Sequence, residues 1–294
     1  MTWWVIVNPA AGVPGELTKR TQSALSSLGI EFKILESRSP ENVAELISAG
    51  RDAGIRQFAG VGGDGTAHLL VNGLLQHEWP TPPGLAVLPA GSGSDFIRTF
   101  ALPRSLEKAA PHLATDDWYR TDVLCVCGSF GTRYALNVVE AGVGAAAVTT
   151  VAKVPRWLGA RRYALAFWLT LPGFKPGTVT ATVDTDKRVA GPAIAVIVAN
   201  GQFFGGGMNI APRASVSDGT FDLQVFSGPR RKALTVMPRV VRGMHLRHKN
   251  VRRIIGETVD LEVPDGWPIE ADGELLGTGP ISVSVLPGAI EFKI

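Results

Sequence analysis

Three loops in the first half of the chain carry the residue types best suited to chemistry: "NPAAGVPG" (8–15), "GGDG" (62–65) and "PAGSGS" (89–94). Glycine lets the backbone come close to a ligand. A helix that starts just after such a loop points its unbonded amides and positive dipole end at it, which together suit a phosphate group. The predicted ligand is a nucleotide. Asp64 lies inside the second loop, where its charge would repel phosphates unless a metal ion stood between them, so Mg²⁺ is expected there directly or through water. An aspartate bonding its own turn is the other reading of the same residue. The known fingerprints do not fit. No Gly-Lys-Ser/Thr follows "GGDGTAH", and His68 takes the place of the last glycine of GxGxxG. "GVGAAA" (142–147) matches GxGxxA, but no acidic residue lies about twenty positions on, so a dinucleotide site is not expected there.

The second half contributes "FFGGGMNIAPRASVSDGTFDL" (203–223) and "PIEADGELL" (268–276). Either Asp-Gly is, by itself, a hairpin turn. Glu270, Asp272 and Glu274 nevertheless crowd three carboxylates into five residues. Such crowding is costly unless a cation or a reacting proton is near, and it marks a candidate site.

The elements that must position these residues follow from the apolar pattern. "WWVIV", "FKIL", "IRQFAGV" and "GLAVLP" alternate with helical stretches starting near Glu16, Pro40, Thr66 and Asp95. That alternation predicts βαβ units and a parallel sheet, with the three loops at the carboxyl ends of strands and facing one crevice. Ser39-Pro40 is a helix entry, a capping hydroxyl followed by proline at the first helical position. From about Tyr119 the pattern changes to strand pairs: "DVLCVC" and "TRYALNVV" across Gly128-Ser129, then "TVTATV", "AIAVIVA", "FDLQVF", "VDLEV" and "ISVSV". A mostly antiparallel β domain is expected, with helices around 145–171 and 230–248. The predicted domains are residues 1–118, an α/β domain with a parallel sheet, and 119–294, with the C-terminal end free to return to the first.

Composition narrows the class. A chain of 294 residues that is 45% hydrophobic can bury a sizeable core, and 29 basic against 26 acidic residues give +3, which does not suit a nucleic-acid coat. Cys125 and Cys127 stand two apart on one face of a strand and read as reduced packing residues. "MTWWVIVNP" has no basic leader and reads as a first strand, and the longest charge-free stretch, 189–212, is too broken by Pro192, Asn200 and Gly205-Gly206-Gly207 to span a bilayer, so a cytoplasmic protein is expected.

Taken in order, "VNPAAG", "GGDGT", "LPAGSGSDF", "NGQFFGGGM", "SDGTFDL" and "ADGE" make the chain resemble the diacylglycerol kinase and sphingosine kinase superfamily, especially its bacterial lipid kinases. GGDGT alone is shared with NAD kinases and phosphofructokinase-like enzymes, and the later motifs set the chain apart from those. The resemblance implies a phosphofructokinase/NAD kinase-like nucleotide domain, a β-sandwich domain and a lipid site in the cleft between them. It places ATP against Asn8, Pro9, Ala10, Ala11 and Gly12, against Ser37, along the loop Gly62, Gly63, Asp64, Gly65, Thr66, Ala67 and His68, and against Ser92. Glu274 matches the proton acceptor of the bacterial members, and Asp272 beside it and Asp64 complete the catalytic candidates; between Asp64 and Glu274 the base assignment is open. Asp218, with the carbonyls of Ser215 and Thr220, matches a structural Mg²⁺ site. The implied reaction is phosphoryl transfer from MgATP to a lipid hydroxyl, where positioning and electrostatics carry most of the acceleration.

Ala67-His68-Leu69 and Ser94 replace the family's usual x-Asn-Glu and asparagine, which bears on nucleotide affinity or choice. Two alternatives stand beside a lipid kinase: an NAD kinase-like enzyme, and a degenerate protein that binds lipid or nucleotide without turnover. Expected partners are a lipid substrate and an anionic membrane surface, with no nucleic acid; a homodimer is compatible with these features. The stretch 228–253 carries nine arginines and lysines and no acid, interleaved with apolar residues, and with "RRYALAFWLTL" (161–171) it is expected to dock peripherally on membranes.

Overall fold

The computed structural model describes residues 2–13, 15–91, 94–159 and 161–294. They form two compact units, Met1–Thr121 with Gly288–Ile294, and Asp122–Pro287.

The first unit alternates strand and helix: β1 (Thr2–Val7), α1 (Glu16–Ser26), β2 (Glu31–Glu36), α2 (Pro40–Asp52), β3 (Gln57–Gly62), α3 (Asp64–Leu75), β4 (Gly84–Pro89), α4 (Asp95–Thr99) and α5 (Leu106–Ala109). Ser39 caps α2 by accepting the Asn42 amide, with Pro40 in the first turn, as the sequence predicts. The strands run parallel in the order β2-β1-β3-β4. Trp3, Val5 and Val7 pack on one face with Leu17 and Leu25 of α1 and Leu106 of α5. Phe58 of β3 and the buried residues Val43, Ile47, Leu70 and Leu74 belong to the opposite layer of α2 and α3. With both faces covered, the strands read as continuous apolar runs. The chain steps from β1 outward to β2 and then back past β1 to β3, so the strand order reverses between β1 and β3. The carboxyl end of the sheet at that reversal is where an open α/β sheet binds its ligand.

The second unit is mostly antiparallel. It takes in β5 (Trp118–Gly128), β6 (Gly131–Ala135), β7 (Val138–Gly142), α6 (Val143–Val151), α7 (Arg161–Thr170), β8 (Gly177–Val183), β9 (Lys187–Ala199), β10 (Phe203–Phe204), β11 (Met208–Asn209), β12 (Phe221–Ser227), α8 (Ala233–Val241), β13 (Val251–Gly256), β14 (Thr258–Glu262), β15 (Pro268–Ala271), β16 (Glu274–Thr278) and β17 (Ile281–Lys293). Strand β9 is central, pairing with β7, β8 and β12. β15 joins on the far side of β7 and carries β16 as a hairpin. Val138, Val139, Val196, Val198, Leu223 and Ile269 lie in its core. Glu291 and Phe292, at the end of β17, pair in parallel with Gly84 and Leu85 of β4. No helix among the described residues is long and apolar enough to cross a membrane.

The sequence reading extended the basic helical segment to residue 248, whereas α8 ends at Val241 and "VRRIIG" forms β13. Arg253 then pairs with the buried Asp222 at 2.5 Å, so it belongs to the sheet and not to a basic docking face. The Arg230 guanidinium is likewise engaged, donating to the carbonyls of Pro172 and Phe174.

Candidate active site

The loops leaving β1, β3 and β4 converge. The Asn8 amide donates to the Val61 carbonyl at 3.0 Å, and the Ala90 amide to the Gly62 carbonyl at 2.9 Å. The Asn8 side chain works in both directions, its Nδ2 donating to Thr66 Oγ1 at 3.2 Å and its Oδ1 accepting the Ala10 amide at 3.0 Å. That second bond starts the short 3₁₀ turn Pro9–Ala11, which Gly12 closes. Ser37, at the end of β2, donates its hydroxyl to the Val7 carbonyl at 3.2 Å. Ser92 lies outside the described residues.

Helix α3 begins at Asp64, two residues before the predicted start, and no side chain caps it. Gly63 at the cap leaves the start of the helix open toward the loop, as phosphate binding requires. Gly62 is needed because a Cβ there would lie 2.1 Å from Thr66 Oγ1. Thr66, Ala67 and His68 are buried, and the His68 ring lies beside the Asn72 amide. Gly63, Asp64 and Gly65 are partly exposed, whereas the side chains of Thr66, Ala67 and His68 turn inward.

Asp64 faces the start of α4. Its carboxylate accepts the Asp95 amide with both oxygens, at 2.8 and 3.0 Å, and the Phe96 amide at 3.2 Å. Backbone dipoles at the start of α4 thus offset part of its charge. Asp64 ties the second glycine loop to the third.

In the second unit the three clustered carboxylates separate by role. Asp272 has a left-handed backbone, φ 50°, at the turn between β15 and β16. Its carboxylate accepts the amides of Leu136, Asn137 and Val138 at 2.7, 2.9 and 3.0 Å, and its own amide donates to the Val138 carbonyl. A carboxylate so held anchors the turn to the start of β7. Glu270 is buried in β15. Glu274 is exposed at the first position of β16. Of the three, Glu274 is the most exposed.

The Asp218 turn is built from oxygen donors. Asp218 Oδ1 accepts the Thr220 amide and hydroxyl at 3.0 and 2.9 Å. Asp122, a buried residue the sequence reading passed over, accepts the Gly219 amide at 2.7 Å and donates its own amide to the Val216 carbonyl at 2.7 Å. An aspartate opening the apolar strand "DVLCVC" was the signal for it. Among the described residues no group of three or more His, Cys, Asp or Glu could hold a metal. By type, the Asp218 carboxylate and the carbonyls of Ser215 and Thr220 are hard oxygen ligands, the kind that Mg²⁺ takes together with water. "GVGAAA" is no phosphate loop, since the Gly144 amide at the start of α6 is taken by Glu140 at 2.8 Å. Cys125 and Cys127 are free thiols.

Comparison with known proteins agrees with this architecture. Residues 2–126 match the diacylglycerol kinase catalytic domain, and residues 137–293 match the YegS C-terminal NAD kinase beta sandwich-like domain. A protein named diacylglycerol kinase from Mycobacterium tuberculosis (strain ATCC 25618 / H37Rv) is 28% identical over 292 residues, covering 97% of this chain and 93% of that one. A protein named "Probable lipid kinase YegS" from Escherichia coli (strain K12 / DH10B) is 25% identical over 265 residues, covering 86% and 83%. Among solved structures, a diacylglycerol kinase from Bacillus anthracis str. Sterne aligns with a TM-score of 0.76 at 20% identity over 99% of this chain and 96% of that one. Yeast NADH kinase aligns at 0.51 and 11% identity, over 99% and 82%, a likeness of fold. An α/β unit with parallel strands followed by a β-sandwich, each matched by its own family model, places the chain in the diacylglycerol kinase-like family of lipid kinases.

Proposed function

We propose that the protein transfers the γ-phosphate of ATP to a hydroxyl of diacylglycerol, yielding phosphatidic acid. The observation that carries this reading is the Asp272-Gly273 turn, pinned by three amides, with Glu274 exposed immediately after it. A carboxylate on a rigid backbone and open to solvent is what a group orienting an alcohol needs. The nucleotide half rests on the converging loops of Asn8, Gly62–Gly65 and Ala90, with the uncapped start of α3 for the phosphates. Mg²⁺, when bound with the nucleotide, would supply charge neutralisation to the transferred phosphoryl group. A second, structural Mg²⁺ would be held by Asp218, Ser215 and Thr220. Diacylglycerol is chosen as acceptor because the Mycobacterium tuberculosis relative carries that name.

The lipid is reached, in this reading, by reversible docking on an anionic bilayer. Trp157, Leu165, Trp168 and Leu169 are exposed along α7 and the turn before it, with Trp157 82% exposed. Such residues belong at a headgroup interface.

The test is radiolabelled ATP and Mg²⁺ with a panel of lipids in mixed micelles, with NAD as a separate acceptor. Labelled phosphatidic acid is expected. Label on another lipid would change the acceptor, label on NAD alone would make this an NAD kinase, and tight ATP binding with no product on any acceptor would make it a binding protein.

A further inference from the structure

Beneath the Asp272-Gly273 turn lie two carboxyl groups that the reaction does not touch. Glu140 of β7 and Glu270 of β15 stand directly opposite each other in the antiparallel register. Opposite residues project to the same face with Cβ atoms roughly 4.5–5.5 Å apart. Glu140 is 2% exposed and Glu270 3%. The partners of both are backbone amides. Glu140 Oε1 accepts from Gly144 at 2.8 Å, in the first turn of α6, and Glu270 Oε2 accepts from Gly273 at 2.6 Å, in the turn that precedes Glu274. The arrangement is specified in the sequence by Gly144, where a Cβ would lie 2.2 Å from both Glu140 oxygens.

We propose that Glu270 is a positioning residue for Glu274: set opposite Glu140 across the β7–β15 pair, it holds the Gly273 amide and so fixes the backbone from which Glu274 projects. This rests on Glu274 serving the acceptor hydroxyl.

Two buried carboxylates with no cation beside them cannot both ionise cheaply. The groups that face Glu270 are all acidic: Glu140 from β7, and Asp272 and Glu274 from its own hairpin. Helix α6 contributes amides and no charged side chain, and β9 places Ile197 opposite Glu140. Burial pushes the Glu140 carboxyl up to about 8, with the α6 amides opposing the shift. Burial, then the neighbouring Glu140 charge, raises Glu270 well above the carboxylate range. The sign follows. A carboxyl raised in the folded state gives stability that is fully present below its unfolded value, near 4.5, and is lost as pH rises toward about 8. The pair therefore loosens the turn on the alkaline side.

The experiment compares wild type with Glu140→Gln, Glu270→Gln and Glu270→Leu. Glutamine keeps an oxygen for the Gly273 amide and cannot ionise. In wild type, amide hydrogen exchange at 272–274, corrected for intrinsic rate, should accelerate at least tenfold between pH 6 and pH 9, and the thermal midpoint should fall over the same range. Glu270→Gln should flatten both. Glu270→Leu should leave the turn poorly protected at every pH. With an active preparation, kcat of wild type should decline above pH 8 at unchanged KM for ATP, Glu270→Gln should keep its turnover there, and Glu270→Leu should lose kcat throughout. Carboxyl ¹³C titration that places both residues near 4.5, or turn protection indifferent to pH and to all three substitutions, would overturn the proposal. Exchange and titration need no turnover, so absence of lipid phosphorylation would count against the reaction alone.

Discussion

Asp64, Asp272, Glu270 and Glu274 differ in what faces their carboxylates, and their roles follow from that. Asp64 and Asp272 are met by two and three backbone amides, Glu270 by one amide inside the sheet, and Glu274 by solvent. Glu274→Gln should lower kcat by about 10²–10⁴-fold while leaving ATP affinity near wild type, since the group acts on the acceptor. Initial rates beside an ATP-binding titration check this, and near-normal turnover would take Glu274 out of the reaction. Asp64→Ala should behave differently. It strips the cap from α4 and unties the second loop from the third, so it should cost on the order of 2 kcal/mol of stability and weaken ATP binding together. Urea unfolding of the variant, with and without ATP, separates those two effects; unchanged values in both would show that the amides find water as good a partner.

At the scale of elements, the β15–β16 hairpin is held by chemistry more than by strand length. Asp272 combines three amide bonds with a left-handed backbone that few residues tolerate. Asp272→Asn keeps one acceptor oxygen and the same backbone tolerance, whereas Asp272→Ala loses both. The alanine variant should lose about 3 kcal/mol and the asparagine variant distinctly less, and denaturant midpoints would show the alanine variant losing no more than about 1–2 kcal/mol if the bonds were unimportant. The turn itself was legible as Asp-Gly, and so was the βα alternation, because apolar runs of one strand length alternate there with helical stretches. What stayed hidden has physical reasons. Glycine at position 63 caps α3 without a side chain, so the helix start read two residues late. Strand β13 was masked because Arg252 and Arg253 continue a basic run, and only the buried Asp222 reveals why one of them is there. The anchoring of Asp272 and the compensation of Asp64 depend on amides distant in sequence, which no local spacing displays. Glu140 carried a readable signal, a glutamate inside "NVVEAG", but its partner comes from more than a hundred residues away.

At the scale of the whole molecule, a net charge of +3 on 294 residues gives little general attraction to an anionic surface, so the proposed docking requires a local face. Two of the basic residues have internal partners. Arg230 and Arg253 are spent internally, and the Arg230 bonds to Pro172 and Phe174 bring the start of the α8 segment to the end of α7. Exposed apolar residues then stand on both helices, Leu165, Trp168 and Leu169 on α7 and Leu234 and Val241 on α8, with Met244 beyond. Arg231, Arg242 and Arg247 are exposed in the same stretch of chain as α8. Each arginine near an anionic leaflet contributes about 1 kcal/mol, falling off within a Debye length of roughly 10 Å at 0.1 M salt. Replacing all three by glutamine should weaken liposome binding about 10²-fold at low salt, and the loss should shrink as salt rises. Trp157→Ala with Trp168→Ala should weaken binding at every salt concentration, because burial of an indole is not screened. Co-sedimentation with vesicles of phosphatidylcholine alone and with one third phosphatidylglycerol measures both terms. Binding that ignores lipid charge, salt and the two tryptophans would mean that the exposed residues of α7 and α8 form a solvated face and that the lipid reaches the enzyme by another surface.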